Sequence, residues 1–318
     1  MKIKSNFKVV APATLANLGC GFDSLAIALE ALQDEIIVTL SEQPGIHITT
    51  IINNKPTIPS ETMQNAAGIS AQLLLDFLKK EHGVDANIGF NFKLTKKVPL
   101  GYGLGSSSAS AVAGVIAVNE ALGNLLEKRE LIPFAIEGEK IAEGTARVNN
   151  IAAALLGGIM LTRDHATLDI HRLPVFKGLS FVIVHPQHKR ILHKDANQKL
   201  PQQVSLVQAQ QQAANASALV QALYMSNLTL LSNTLCDHLV EATWSKSIPY
   251  FEEVKAAALA HKALGCGIAG SGSGIFAVCK NSLEANQIAE AMQNIYTKNK
   301  VKNKCIISNI HLEGASKK

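Results

Sequence analysis

Three glycines at alternate positions, Gly101, Gly103 and Gly105, run straight into Ser106, Ser107 and Ser108 in the stretch PLGYGLGSSS. Glycine takes positive φ at little cost and has no Cβ. Such a run can turn successive amide N–H groups toward one point and let a ligand touch the backbone. The residues that follow, SSSASAVAGVIAVNEALG, predict a helix that stops at Gly123. The free N–H groups and the positive dipole end at its start favour an anion, most commonly a phosphate. On this reading Ser106 or Ser107 donates to a phosphate or ligates Mg²⁺. The plainer reading is a tight strand-to-helix turn whose first serine is an N-cap. The pattern is neither GxxxxGK[ST] nor the dinucleotide GxGxxG, because Ser106 stands three residues after Gly103.

Two further clusters frame the loop. In APATLANLGCGFDSLAIAL (11–29), Asn17 and Asp23 flank a Gly-Cys-Gly turn between two apolar segments. By itself this reads as a polar turn between a strand and a helix. In ALGCGIAGSGSGIFAVC (263–279), Gly265, Gly267, Gly270, Gly272 and Gly274 crowd between a predicted helix and a predicted strand. That density implies close backbone approach, either to another loop or to a ligand.

The elements that must position these clusters follow from periodicity. Strands are predicted at 5–11, 35–41, 46–52, 88–98, 157–164, 179–186, 274–280 and 304–311. Helices are predicted at 62–81, after the glycine loop, at 130–144, 147–156, 202–224, 251–265 and 282–298. Strands and helices mix without regular βαβ repetition, so the fold class is α+β. The chain of 318 residues suits two domains, divided near residue 165 into 1–165 and 166–318.

Composition excludes several classes. With 47% hydrophobic and 17% charged residues the chain can bury a core. Aromatics are only 5%, which weighs against a base-stacking nucleic-acid binder. A net charge of +5 suits acidic small molecules such as phosphates. The five cysteines are odd in number and lack CxxC spacing, so neither a disulfide framework nor a zinc site is expected, and a reducing cytoplasm fits. Lys2, Lys4 and Lys8 precede the apolar run Val9 to Leu18, but Pro12, Thr14 and Asn17 interrupt it, against a secretory signal. No apolar run is long enough to predict a membrane span.

The three clusters, in this order, resemble the GHMP small-molecule kinases, the group that includes galactokinase, homoserine kinase, mevalonate kinase and phosphomevalonate kinase. The family's Pro-x-Gly-x-Gly-Leu-Gly-Ser-Ser is met from Pro99 to Ser107. PATLANLGCGFDSLAIAL, NNIAAALLGG (149–158) and the segment from Ser247 to Val278 are most similar to the homoserine kinase branch, and the resemblance runs from about residue 7 to 311. It implies a two-domain α+β architecture, with an N-terminal ATP-binding domain like ribosomal protein S5 domain 2 and a ferredoxin-like C-terminal domain. It implies a homodimer in the cytoplasm, ATP and Mg²⁺ as cofactors, and a small hydroxylated substrate, homoserine in threonine biosynthesis. ATP would lie along Pro99, Leu100, Gly101, Tyr102, Gly103, Leu104, Gly105, Ser106, Ser107 and Ser108. Ser107 and Glu139 would hold Mg²⁺, Glu139 standing eleven residues before Asn150. Its neighbours Glu137 and Glu143 leave a solvated acidic face as the alternative. Asn17, Asp23 and Glu139 would serve catalysis. Asn17, Asp23, Arg147, Asn150 and Gly270 would surround the acceptor, with Asp23 the partner of an α-ammonium group or a general base.

The departures from that branch cluster on the acceptor side. Arg147-Val148-Asn149-Asn150 stands where His-x-Asp-Asn is usual, Gly267 where Thr is usual, and Asn197 and Trp244 where two arginines are usual. Neither Asn nor Trp can pair a carboxylate bidentately. Each lost charged partner is worth on the order of 1.5–3 kcal/mol. Arg147 and Arg190 are the candidates to compensate. A different small alcohol, or a catalytically weak nucleotide-binding regulator, are the alternatives these departures leave open.

Overall fold

The computed structural model describes residues 3–53, 57–187 and 200–318. The first sheet holds β1 (Phe7–Asn17), β2 (Gly21–Leu40), β3 (Gly45–Ile52), β4 (Gly89–Thr95), β5 (Ile159–Asp164), β6 (Asp169–Leu173) and the last strand, β11 (Ser316–Lys317). Its order is β11-β1-β2-β4-β3, and β5 pairs with β2 and β6. All pairs are antiparallel except β3 with β4, which are joined through α1 (Ala66–Glu81).

β2, at 20 residues, is almost three times as long as the strand expected at 35–41. Its second half pairs with β4 and its first half with β5. The register shifts at Pro12/Ala13, where Pro12 has no N–H to give the ladder. The apolar run 25–29 is therefore strand, and the turn at 18–20 joins two strands rather than a strand and a helix.

Four helices cover this sheet: α1, α2 (Ser106–Ala121), α3 (Ile132–Glu143) and α4 (Val148–Leu156). α2 is buried almost all round, which its small side chains permit. A Cβ at Gly114 would stand 2.2 Å from the Ala67 carbonyl, and one at Gly138 2.5 Å from that of Ala66. These two glycines let α1, α2 and α3 approach to backbone contact.

The second sheet holds β7 (Ser180–Pro186), β8 (Gly265–Ile268), β9 (Ile275–Cys279) and β10 (Asn303–Asn309) in the order β10-β7-β9-β8. In chain order this is 4-1-3-2, all antiparallel, the ferredoxin-like arrangement. Between β7 and β8 run α5 (Leu206–Met225), α6 (Leu228–Thr234), α7 (Glu241–Trp244) and α8 (Phe251–Ala260); α9 (Ser282–Lys298) links β9 to β10. Strand alternation sorts the residues by face. Val182, Val184, Ile275 and Ala277 pack with Met292 and Tyr296 under α8 and α9. Phe181, Ile183, Phe276 and Val278 face the other way and join the core of the first sheet.

Sheet membership changes between Leu173 and Ser180, past the division expected at 165, because β6 pairs into the first sheet. β11 also returns to that sheet beside β1. The first sheet is therefore completed by the end of the chain.

Candidate active site

The loop from Pro99 to Gly105 joins β4 to α2 at the seam between the two sheets. Gly101, Gly103 and Gly105 all have positive φ (83°, 75° and 60°). Gly105 occupies the N-cap position of α2, so no side chain caps the helix. Ser106 is already helical, and its hydroxyl donates to the Val98 carbonyl at 2.7 Å. The plainer reading, a serine N-cap, is thus overturned, and the first amides of α2 are left to the cleft in front of them.

The second glycine cluster meets this loop backbone to backbone. A Cβ on Gly103 would lie 1.8 Å from the Ala269 carbonyl, and one on Gly272 2.3 Å from the Gly103 amide nitrogen. The cluster is a hairpin, with Gly265 and Gly267 in β8 and Gly270, Gly272 and Gly274 around the turn into β9. Of the two partners expected for these glycines, another loop is the one observed.

A buried ion pair supports the loop from beneath. Lys96 Nζ pairs with Asp34 and also donates to Ser110 Oγ (2.7 Å) and to the Ser106 carbonyl (3.0 Å). Asp34 Oδ1 accepts from the amides of Lys97 and Val98, each at 2.9 Å. Removing either partner would strand a buried charge. Neither residue was singled out from sequence, although the signal is there. Lys96 continues the inward phase of Phe90, Phe92 and Leu94, and Asp34 that of Ile36 and Val38.

Glu139 lies on α3 with 2% of its surface exposed, whereas Glu137 is exposed and Glu143 intermediate. The solvated acidic face is therefore not what this residue joins. Its Oε1 accepts from Ser108 (2.9 Å) and Ser107 (3.3 Å), and its Oε2 from the Arg147 amide (3.3 Å). Burial pushes its carboxyl up to about 7, against the lowering effect of the Ser108 bond and of Arg147. The folded protein then keeps a proton that the unfolded chain releases above its ordinary value of 4.5. Wild-type stability accordingly falls as pH rises from about 4.5 to 7, by up to roughly 3 kcal/mol. Glu139→Gln removes that loss. In thermal melts without nucleotide or metal, the variant is expected to melt above wild type at pH 8 and level with it near pH 4.5.

Of the predicted acceptor residues, Arg147, Asn150 and Gly270 line the cleft and Asn17 a recess beside it, whereas Asp23 is in neither lining. Asn17 has φ 77° and Asp23 has φ 57°. Asn17 Nδ2 donates to the Gly270 carbonyl (3.1 Å), and its Oδ1 accepts from the Asp23 amide (3.0 Å), so one side chain ties the β1–β2 turn to the hairpin. Arg147 Nη1 stands 4.0 Å from Asp23 Oδ1, with the arginine side chain 10% exposed and the aspartate 47%. Asn150 Oδ1 accepts from Thr14 Oγ1 at 2.8 Å, which orients its amide. Thr14 was not anticipated. A Cβ on Gly105 would touch its hydroxyl at 2.0 Å, so it also sets the loop.

Glu139, Arg147, Asn150, Gly270 and the glycine loop thus line one cleft, and among the described residues Arg147 is the one lysine or arginine in its wall. Asn17 and Trp244 line a small recess that adjoins it at Gly270. Trp244 is buried against Phe22, ring centroids 5.9 Å apart. A side chain at Gly267 would meet Glu241 Oε2 at 3.1 Å, and Glu241 in turn is paired with Lys255. Arg190 and Asn197 lie outside the described residues.

Residues 69–158 match the family model for the GHMP kinases N terminal domain, and residues 219–298 that for GHMP kinases C terminal. A protein named homoserine kinase from Chlorobium phaeobacteroides is 36% identical over 311 residues, covering 96% of this chain and 97% of the relative. The crystal structure of homoserine kinase from Cytophaga hutchinsonii superposes with a TM-score of 0.93 at 40% identity, covering 100% of this chain and 99% of that one. The mevalonate kinase of L. major shares the fold, with a TM-score of 0.71 at 17% identity over 96% of this chain and 97% of its own. The bare loop, the buried glutamate behind its serines and these similarities agree: the chain belongs to the GHMP kinase family.

Proposed function

We propose that this small-molecule kinase transfers the γ-phosphoryl group of ATP to the side-chain hydroxyl of L-homoserine, giving O-phosphohomoserine, a step toward threonine. The observation that carries the acceptor is the Asp23–Arg147 pair, a carboxylate and a guanidinium 4.0 Å apart, with Arg147 in the wall of the phosphate cleft. An amino-acid zwitterion offers the matching charges. Asp23 would take the α-ammonium group and Arg147 the α-carboxylate, replacing arginines that the chain lacks at 197 and 244. The near-full-length relatives named homoserine kinase support the same reading.

Phosphoryl transfer through a loose transition state asks for alignment and charge stabilisation more than for a strong base. The amides of the loop and of the first turn of α2 would hold the triphosphate. A second cleft behind the loop, walled by Ile58, Pro59, Leu100 and Ile141, would take the base. Asn17 and Asn150 would orient the acceptor hydroxyl. Among the described residues no three His, Cys, Asp or Glu side chains form a metal cage. Glu139 with Ser107 is instead the sparse oxygen set that suits Mg²⁺, which takes one or two carboxylates and completes its shell with phosphates and water. Bound there, Mg²⁺ would neutralise charge on the β- and γ-phosphate oxygens. The homodimer expected from the family resemblance belongs to the same proposal.

The carboxylate role has its own test. Arg147→Gln is expected to lower kcat/KM for L-homoserine roughly ten- to a hundredfold while changing that for L-homoserine amide by less than about threefold. Equal losses on both substrates would show that Arg147 does not read the carboxylate.

A further inference from the structure

The glycine loop meets the hairpin and Thr14 through its backbone, but Gly101, Gly103 and Gly105 have no side chains to hold it. Side-chain anchoring between them falls to Tyr102 and Leu104. Leu104 is buried in the first core, and its carbonyl accepts from the Thr14 amide at 3.1 Å. Tyr102 is half-buried, and its side chain is not among the residues that line the cleft. Its ring lies parallel to that of His185 on β7, with centroids 3.4 Å apart and planes within 1°. His185 is 6% exposed and its Nε2 shares a hydrogen bond of 2.8 Å with Ser273, itself 1% exposed in the hairpin turn. The Tyr102 backbone sits against the same hairpin, where a Cβ on Gly274 would stand 2.5 Å from its carbonyl oxygen.

From this we infer that His185 is a positioning residue for the nucleotide: through Tyr102, and braced by Ser273, it fixes the phosphate loop to the second sheet. Leu104 ties the loop to one domain and Tyr102 to the other, so the spacing of its amides depends on both. The inference rests on the reading that the triphosphate occupies this loop. It gives residues outside the cleft a role in ATP affinity and none in acceptor affinity.

Steady-state kinetics with ATP and L-homoserine varied in turn test it, with thermal melts alongside. His185→Ala and Tyr102→Ala are each expected to raise KM for ATP up to about tenfold, the scale of an aromatic pair. KM for L-homoserine should stay within about twofold. The double variant should be no worse than either single one, since both break one contact. His185→Phe keeps a ring on Tyr102 and should recover most of the affinity. It also serves if the alanine variant does not fold, because Tyr102→Leu should then show a KM for ATP well above that of His185→Phe. A lowered melting temperature with KM for ATP unchanged, additive losses in the double variant, or equal KM values for His185→Phe and Tyr102→Leu would overturn the inference. A wild-type protein that neither binds ATP nor turns over homoserine would instead remove the proposed function, and this inference with it.

Discussion

Glu139→Gln is expected to lower kcat about a thousandfold while the protein stays folded, the scale of loss seen when one preorganised electrostatic contact to developing charge is removed. The carboxylate is buried, and two serine hydroxyls and the Arg147 amide converge on it at the wall of the cleft. Three donors around a buried acid describe a group kept for its charge, since an apolar residue would otherwise fill the site at lower cost. Glutamine preserves size and one acceptor oxygen but cannot neutralise a cation. Initial rates at saturating ATP and acceptor, measured across a Mg²⁺ titration, decide the matter. A variant that keeps more than about a tenth of wild-type kcat would show that Glu139 is not part of the metal site.

Gly103→Ala should have the largest effect on the fold of the site. The new Cβ would lie 1.8 Å from the Ala269 carbonyl and 3.1 Å from the Gly272 amide nitrogen, both backbone atoms, at a φ of 75°. Left-handed strain and overpacking together put the loss at about 2–5 kcal/mol. The phosphate loop and the hairpin would have to separate, so ATP binding should be lost as well. Gly123→Ala is the control, because Gly123 has φ 87° with nothing within 4 Å of its Cβ position. It carries the backbone strain alone, about 1–2 kcal/mol, and should leave ATP affinity unchanged. Denaturant melts and nucleotide titration of both variants separate the two terms. Equal behaviour of the two would mean that the loop–hairpin contact is not close.

Much of this arrangement was legible in the residues. The alternate glycines before a serine run indicated a bare turn into a helix, and all three have positive φ there, while α9 spans the residues its periodicity indicates. Glu139 was reachable through the family resemblance, which implies a glutamate eleven residues before Asn150, but its burial was not, since Glu137 and Glu143 share its short helix. The extent of β2 was hidden for a physical reason: a short apolar run such as 25–29 suits a strand or a buried helix equally, and only pairing with β5 decides. β8 is four residues with two glycines, has little strand propensity, and exists because β9 pairs with it. The meeting of the two glycine clusters, and the stacking of Tyr102 on His185, are contacts between residues far apart in the chain that no local pattern encodes. Lys96 and Asp34 were visible in phase, yet charge at an inward position is more simply read as the end of a strand.

The central claim is that ATP binds at the glycine loop and that Asp23 and Arg147 hold the charged end of a hydroxy-amino acid beside it. The most direct measurement is ³¹P NMR of the purified protein incubated with ATP, Mg²⁺ and L-homoserine, beside a panel of other hydroxy-amino acids and small alcohols. The account predicts ADP and a new phosphomonoester resonance matching O-phosphohomoserine, formed only when L-homoserine is present. A phosphomonoester formed from another alcohol in preference to homoserine, or ATP binding with no acceptor phosphorylated, would contradict it.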